Sequence, residues 1–86
     1  MLRIFKYTLD TIDEQVIKLP EFYKILSLKV QNNTPRLYVL INDKIEEEKE
    51  IRIRIYGTGH PVDEVGEFIG TYQLSNGQLV FHAFIV

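Results

Sequence analysis

The chain has 86 residues, no cysteine and a formal charge of −2, which excludes disulfide scaffolds, thiol nucleophiles, zinc ribbons and iron–sulfur sites. Its acidity argues against general nucleic-acid binding, which needs a basic stripe to displace counterions. At 45% apolar it is too hydrophobic for disorder, and no stretch approaches the roughly 18 consecutive apolar residues of a membrane span.

The length fits one domain over residues 1–86. A domain this small buries only about 60–65% of its unfolded surface, so self-association is expected to help it, and a homo-oligomer is the expectation. The N-terminus, Met1-Leu2-Arg3-Ile4-Phe5-Lys6, alternates instead of placing an apolar run behind a basic cap. It does not read as a signal peptide, which points to a cytoplasmic working place.

Hydrophobic residues recur with a period of two. Arg3 to Leu9 reads as a strand with Phe5, Tyr7 and Leu9 on one side. Asp10 to Glu14 is a polar connector, and a short strand near Gln15 to Leu19 offers Ile17 and Leu19. Lys24 to Gln31 points Leu26, Leu28 and Val30 inward, with Ser27 and Lys29 outward. Asn32-Asn33-Thr34-Pro35 is a turn, since Asn tolerates positive φ. Leu37 to Ile41 is continuously apolar and reads as a central strand covered on both faces. Asn42 to Glu50 is a solvated charged loop.

Ile51-Arg52-Ile53-Arg54-Ile55-Tyr56 is the clearest strand, with three isoleucines on one face and two arginines and a tyrosine on the other. Val62 to Gly66 has room for one helical turn. Asn76-Gly77 is the favoured pair for a type I′ hairpin turn. With those two residues as the loop, Leu74 faces Leu79, Tyr72 faces Phe81, Gly70 faces Ala83 and Phe68 faces Ile85. The other face pairs Gln73 with Val80, Thr71 with His82 and Ile69 with Phe84. The apolar last strand, Phe84-Ile85-Val86, must lie inside the domain or pair with another subunit. The sum is an all-β fold of about seven strands, an antiparallel sandwich or small barrel with little or no helix.

One loop breaks the pattern. Tyr56-Gly57-Thr58-Gly59-His60-Pro61 follows the arginine-bearing strand. Backbone amides at Gly57 and Gly59, the Thr58 hydroxyl, the imidazoles of His60 and His82, and the guanidinium groups of Arg52 and Arg54 together form a candidate anion-binding set. The loop lacks the lysine and following helix of a phosphate-binding P-loop and the third glycine of a dinucleotide fingerprint. Against this stands the simpler reading of a strand connection that needs glycine for its shape.

His60 and His82 could seed a metal site with Asp63, Glu64 or Glu67, but nothing in the spacing demands it. His82 opposite Thr71 also reads as a hydrogen-bonded, half-buried histidine. Ser27 and Ser75 lack a nucleophile elbow, so no catalytic residue and no cofactor is assigned. Tyr38, Tyr56 and Tyr72 could stack on a planar ligand if exposed.

Residues 24–32, Gly57-Thr58-Gly59-His60-Pro61, Phe68 to Leu74 and Leu79 to Phe84 together resemble a family of short phage and prophage proteins of unknown function. The resemblance runs over nearly the whole chain, with the glycine-rich loop its most specific element. The family pattern has a tryptophan near the position of Tyr38. The resemblance implies a mobile-element product acting in the cytoplasm of a bacterial host. The expected function is that of a non-enzymatic phage accessory protein. It would bind a host protein or a small anionic, nucleotide-like ligand, as a counter-defence factor does. The alternative is a small self-associating structural or assembly protein.

Overall fold

The computed structural model describes residues 1–86. Seven strands follow one another: β1 (Leu2–Thr8), β2 (Glu14–Pro20), β3 (Tyr23–Gln31), β4 (Thr34–Asn42), β5 (Glu48–Gly57), β6 (Glu67–Leu74) and β7 (Leu79–Ile85). They form two antiparallel sheets, one in the order β1-β4-β3 and one in the order β2-β5-β7-β6. No helix is present, and Val62 to Gly66 forms no helical turn. Pro61 enters this segment with its φ fixed, and the segment folds back over a sheet instead of winding on itself.

Alternation places the core between the sheets. Leu37, Val39 and Ile41 of β4 meet Ile51, Ile53 and Ile55 of β5, joined by Leu9, Leu19, Leu28, Tyr72 and Ala83. β4 is central, but only one of its faces is covered. Tyr38 and Leu40 are half-buried, shielded by register neighbours such as Ile4 and Lys24, because no third layer lies over them.

A bulge in β3 leaves Leu26 without a partner on β4. This switches the facing, so Tyr23 and Ile25 point inward before it and Leu28 after it, whereas Leu26 and Val30 stay exposed. The charged loop is shorter than its composition implied, since Glu48, Lys49 and Glu50 already pair with β2.

The β3–β4 hairpin turns on Asn32 and Asn33, at φ 54° and 57°. The β6–β7 hairpin has Asn76 and Gly77 at φ 56° and 86°, as a type I′ turn requires. Ser75 is left-handed too, so its N–H turns away to Asn33 Oδ1 of the other sheet, 3.3 Å away, and no Ser75–Gln78 strand pair forms. The register runs from Leu74↔Leu79 to Gly70↔Ala83. A bulge at Ile69 then shifts it, so Phe68 meets Phe84 and Glu67 meets Ile85. At the notch made by Gly70 and Ala83 the sheets close on each other. A Cβ on Gly70 would lie 2.8 Å from Leu28 Cβ, so only glycine allows this approach. β7 lies between β5 and β6, and its apolar sequence is explained within the chain.

Candidate functional site

The outer face of the four-stranded sheet carries Arg52, Arg54 and Tyr56 of β5. The register sets Phe84 and His82 of β7 beside Arg54 and Tyr56. The segment after β5 turns sharply: His60 N–H donates to the Gly57 carbonyl at 3.0 Å, with Gly59 at φ +87°. Positive φ at that position is what a type II turn requires. The chain then runs back so that Asp63 and Glu64 sit over β5.

Those two residues take up the arginines. Arg54 donates to Asp63 Oδ1 at 3.0 Å and to the Asp13 carbonyl at 3.1 Å, with its guanidinium 5.0 Å from the Tyr56 ring centre. Arg52 binds Glu64 Oε1 at 3.1 Å and also the Glu14 carboxylate. The hydrogen bonds that Arg52 donates to Glu14 and then to Glu64 hold its pKa above the ordinary value. The Tyr56 hydroxyl lies 2.9 Å from Asp63 Oδ1 and 2.8 Å from the Glu64 carbonyl, and it accepts the Glu64 N–H at 3.1 Å. Desolvation and then the bond to Asp63 raise the Tyr56 pKa, while the Tyr56 bond and the Arg54 charge lower that of Asp63.

The imidazoles are placed differently. His82 spans two hydroxyls, Thr58 Oγ1 at 2.7 Å from Nε2 and Thr71 Oγ1 at 2.8 Å from Nδ1, tying the end of β5 to β6 across β7. His60 is exposed, and its ring lies against Gly57. No three His, Asp or Glu side chains gather in a metal-ligating cluster.

Between this segment and the β1–β2 connection lies a cleft of about 360 Å³. Thr11, Ile12 and Asp13 form one wall, Gly57, His60, Pro61 and Asp63 the other, and Arg54, Ile55, Tyr56 and Phe81 the floor. Both walls are fixed in advance. The Tyr72 hydroxyl meets Thr11 Oγ1 at 2.8 Å, the Gln15 side chain clamps the Asp10 backbone at both its amide groups, and Ile55 N–H donates to the Asp13 carbonyl. Burial raises the Tyr72 pKa.

A family model described as a domain of unknown function (DUF7352) matches residues 1–86. The chain belongs to that family. No curated protein and no solved structure matches it.

Of the candidate anion-binding set, Arg54, Gly57 and His60 line the cleft of this family member, as do Tyr56 and Asp63 among the other residues singled out. Thr58 shares with Gly57 and His60 a second hollow, of about 250 Å³, on the far side of the loop. Arg52, Gly59 and His82 line neither hollow. The wall from Thr11 to Asp13 is hidden inside a polar connector. Its one sequence signal is Ile12, an apolar residue alone among polar ones, which is 49% exposed. Asp63 and Glu64, metal-ligand candidates by residue type, have guanidinium groups as their partners instead.

Proposed function

We propose that the chain is a non-enzymatic phage accessory protein that binds a host protein, seating a side chain with an apolar body and a basic tip in the cleft. The phage setting rests on the sequence resemblance. The binding mode rests on one observation: the charge left unspent at the cleft is negative. Arg54 is held by Asp63, Glu64 and the Asp13 carbonyl. Asp13 makes no side-chain ion pair or hydrogen bond, and Asp63 is 72% exposed and takes its Arg54 and Tyr56 bonds both on Oδ1. A phosphate entering here would meet two carboxylates and no free cation, which disfavours the nucleotide branch of the expectation. A basic tip would meet the reverse, with Ile12, Pro61 and Phe81 packing its stem.

The Thr58–His82 contact has the spacing of a nucleophile and base. The second imidazole nitrogen rests on a threonine hydroxyl, however, with no carboxylate there to stabilise an imidazolium. That favours reading the pair as a tie between strands.

Two measurements test the proposal. Mono- and cyclic nucleotides at about a hundredfold a micromolar Kd should leave the melting temperature unchanged, since binding would add roughly 2.7 kcal/mol. A photoreactive residue at Ile12 should give a discrete protein adduct in the bacterium that Asp13→Lys abolishes, while the same residue at Lys18 gives none. A nucleotide-induced shift, or equal labelling from both positions, overturns the reading.

A further inference from the structure

β1 is an edge strand, and its free side is unusually open. Leu9 N–H donates to the Pro35 carbonyl and Asp43 N–H to the Met1 carbonyl, each at 3.0 Å. In the β1–β4 register this assigns the odd-numbered residues to the bonded side. By antiparallel alternation the N–H and C=O groups of Leu2, Ile4, Lys6 and Thr8 point away from β4. β4 is the one strand that β1 pairs with, and none of these outward groups bonds to backbone elsewhere in the chain.

The other three edges are guarded. β2 ends in Pro20, β3 is bulged at Leu26 and β6 at Ile69, and β3 and β6 also close against each other at Leu28 and Gly70. β1 has neither proline nor bulge. Its two charges, which would ordinarily repel an incoming strand, are drawn back over their own sheet: Arg3 to Asp43, and Lys6 Nζ to Gln31 Oε1 at 2.8 Å. Leu2, Ile4 and Phe5 remain 64%, 60% and 44% exposed.

We propose that β1 pairs antiparallel with β1 of a second copy, about a two-fold axis at Phe5, giving a continuous six-stranded sheet. Phe5 is the middle of Leu2–Thr8, so this register alone engages all four outward residues. It sets Ile4 opposite Lys6 and Leu2 opposite Thr8 as hydrogen-bonded pairs. It also sets Arg3 opposite Tyr7, and Phe5 opposite Phe5 of the second copy. No like charges meet, whereas an axis at Lys6 would oppose two lysines. This self-complementarity is what selects a second copy over an unrelated strand. One unguarded edge per chain closes the assembly at two, so no filament forms. The inference is independent of what fills the cleft.

Sedimentation equilibrium should show the mass rising from 10.1 kDa to twice that value as concentration increases. Ile4→Pro removes an outward N–H without touching the β1–β4 ladder, and should weaken association by about tenfold or more. A non-hydrogen-bonded pair brings its Cα atoms to about 4.5 Å, within disulfide reach. Because the chain has no native cysteine, Phe5→Cys should yield a covalent dimer under mild oxidation. Val16→Cys and Leu79→Cys, at comparably exposed sites, should not. A monomer at all concentrations, masses beyond the dimer, or cross-linking no faster from position 5 than from position 16 would each overturn the proposal.

Discussion

The Tyr56 hydroxyl and the Asp63 carboxylate stand 2.9 Å apart, seven residues apart in sequence, and their contact locks the glycine-rich segment onto the sheet. The same hydroxyl also accepts the Glu64 N–H, so one atom organises a backbone turn and a carboxylate together. The cleft wall at Pro61 and Asp63 therefore depends on a residue beneath it.

Tyr56→Phe keeps the ring packed against Phe84, 6.0 Å away, but removes that organising atom. Amide hydrogen exchange should accelerate across 62–66 while the β4 and β5 core amides keep their protection. Unchanged exchange in that segment would show that the arginine pairs alone hold it.

Acid should loosen both that segment and the corner where Asp43 holds Met1 and Arg3. Asp63 and Asp43 have folded pKa values below their ordinary 3.8, Asp63 through its bond from Tyr56 and Asp43 through bonds from the N-terminal amine and Arg3. A depressed carboxyl stabilises the fold above its unfolded pKa, and this contribution is lost as pH falls through the folded value. Stability should therefore decline below about pH 4. Asp63→Asn should flatten part of that decline in denaturation curves taken from about pH 7 to about pH 2.

The alkaline limb has the opposite sign. Burial raises Tyr7, Tyr23, Tyr56 and Tyr72 above 10.0. Their contribution is complete below the unfolded value and disappears as pH climbs through the folded ones. Phenolate absorbance should rise together with unfolding above about pH 10, and Tyr72→Phe should delay both.

Two glycines separate backbone strain from steric exclusion. Gly59 has φ +87° and open space for 4 Å around the position a Cβ would take, so Gly59→Ala should cost about 1 kcal/mol. Gly70 has φ +153° and Leu28 Cβ only 2.8 Å from that position, so Gly70→Ala should cost about 2–3 kcal/mol by urea denaturation. Equal costs would mean that the sheets yield at this point.

Arg54 should matter more than Arg52 because its side chain is 18% exposed against 44%. Arg54→Ala should cost about 1–2 kcal/mol, combining lost ion pairs with lost packing on Tyr56. Arg52→Ala should cost less, and its effect should shrink further in molar salt.

Strand number, approximate strand positions and both asparagine turns were legible in the sequence, because period-two alternation and left-handed Asn–Gly chemistry are local properties. Facing failed at Leu26 and at Phe68–Phe84, since a bulge inserts one residue and inverts parity with no compositional mark. The candidate site was only half legible. Arg54, Gly57 and His60 could be read from one segment, but Thr11 to Asp13 belong to a distant connector, brought alongside by the β2–β5 pairing.

The sequence by itself determined an all-β chain with a greasy interior and a single pliable loop, because these follow from which side chains avoid water and which φ angles a residue tolerates. Tertiary structure alone decided that the loop folds back, that its acids neutralise the arginines of β5, and that β1 is left with an open edge. Charge pairing and edge exposure are relations between distant segments, and no local pattern specifies which carboxylate will reach which guanidinium.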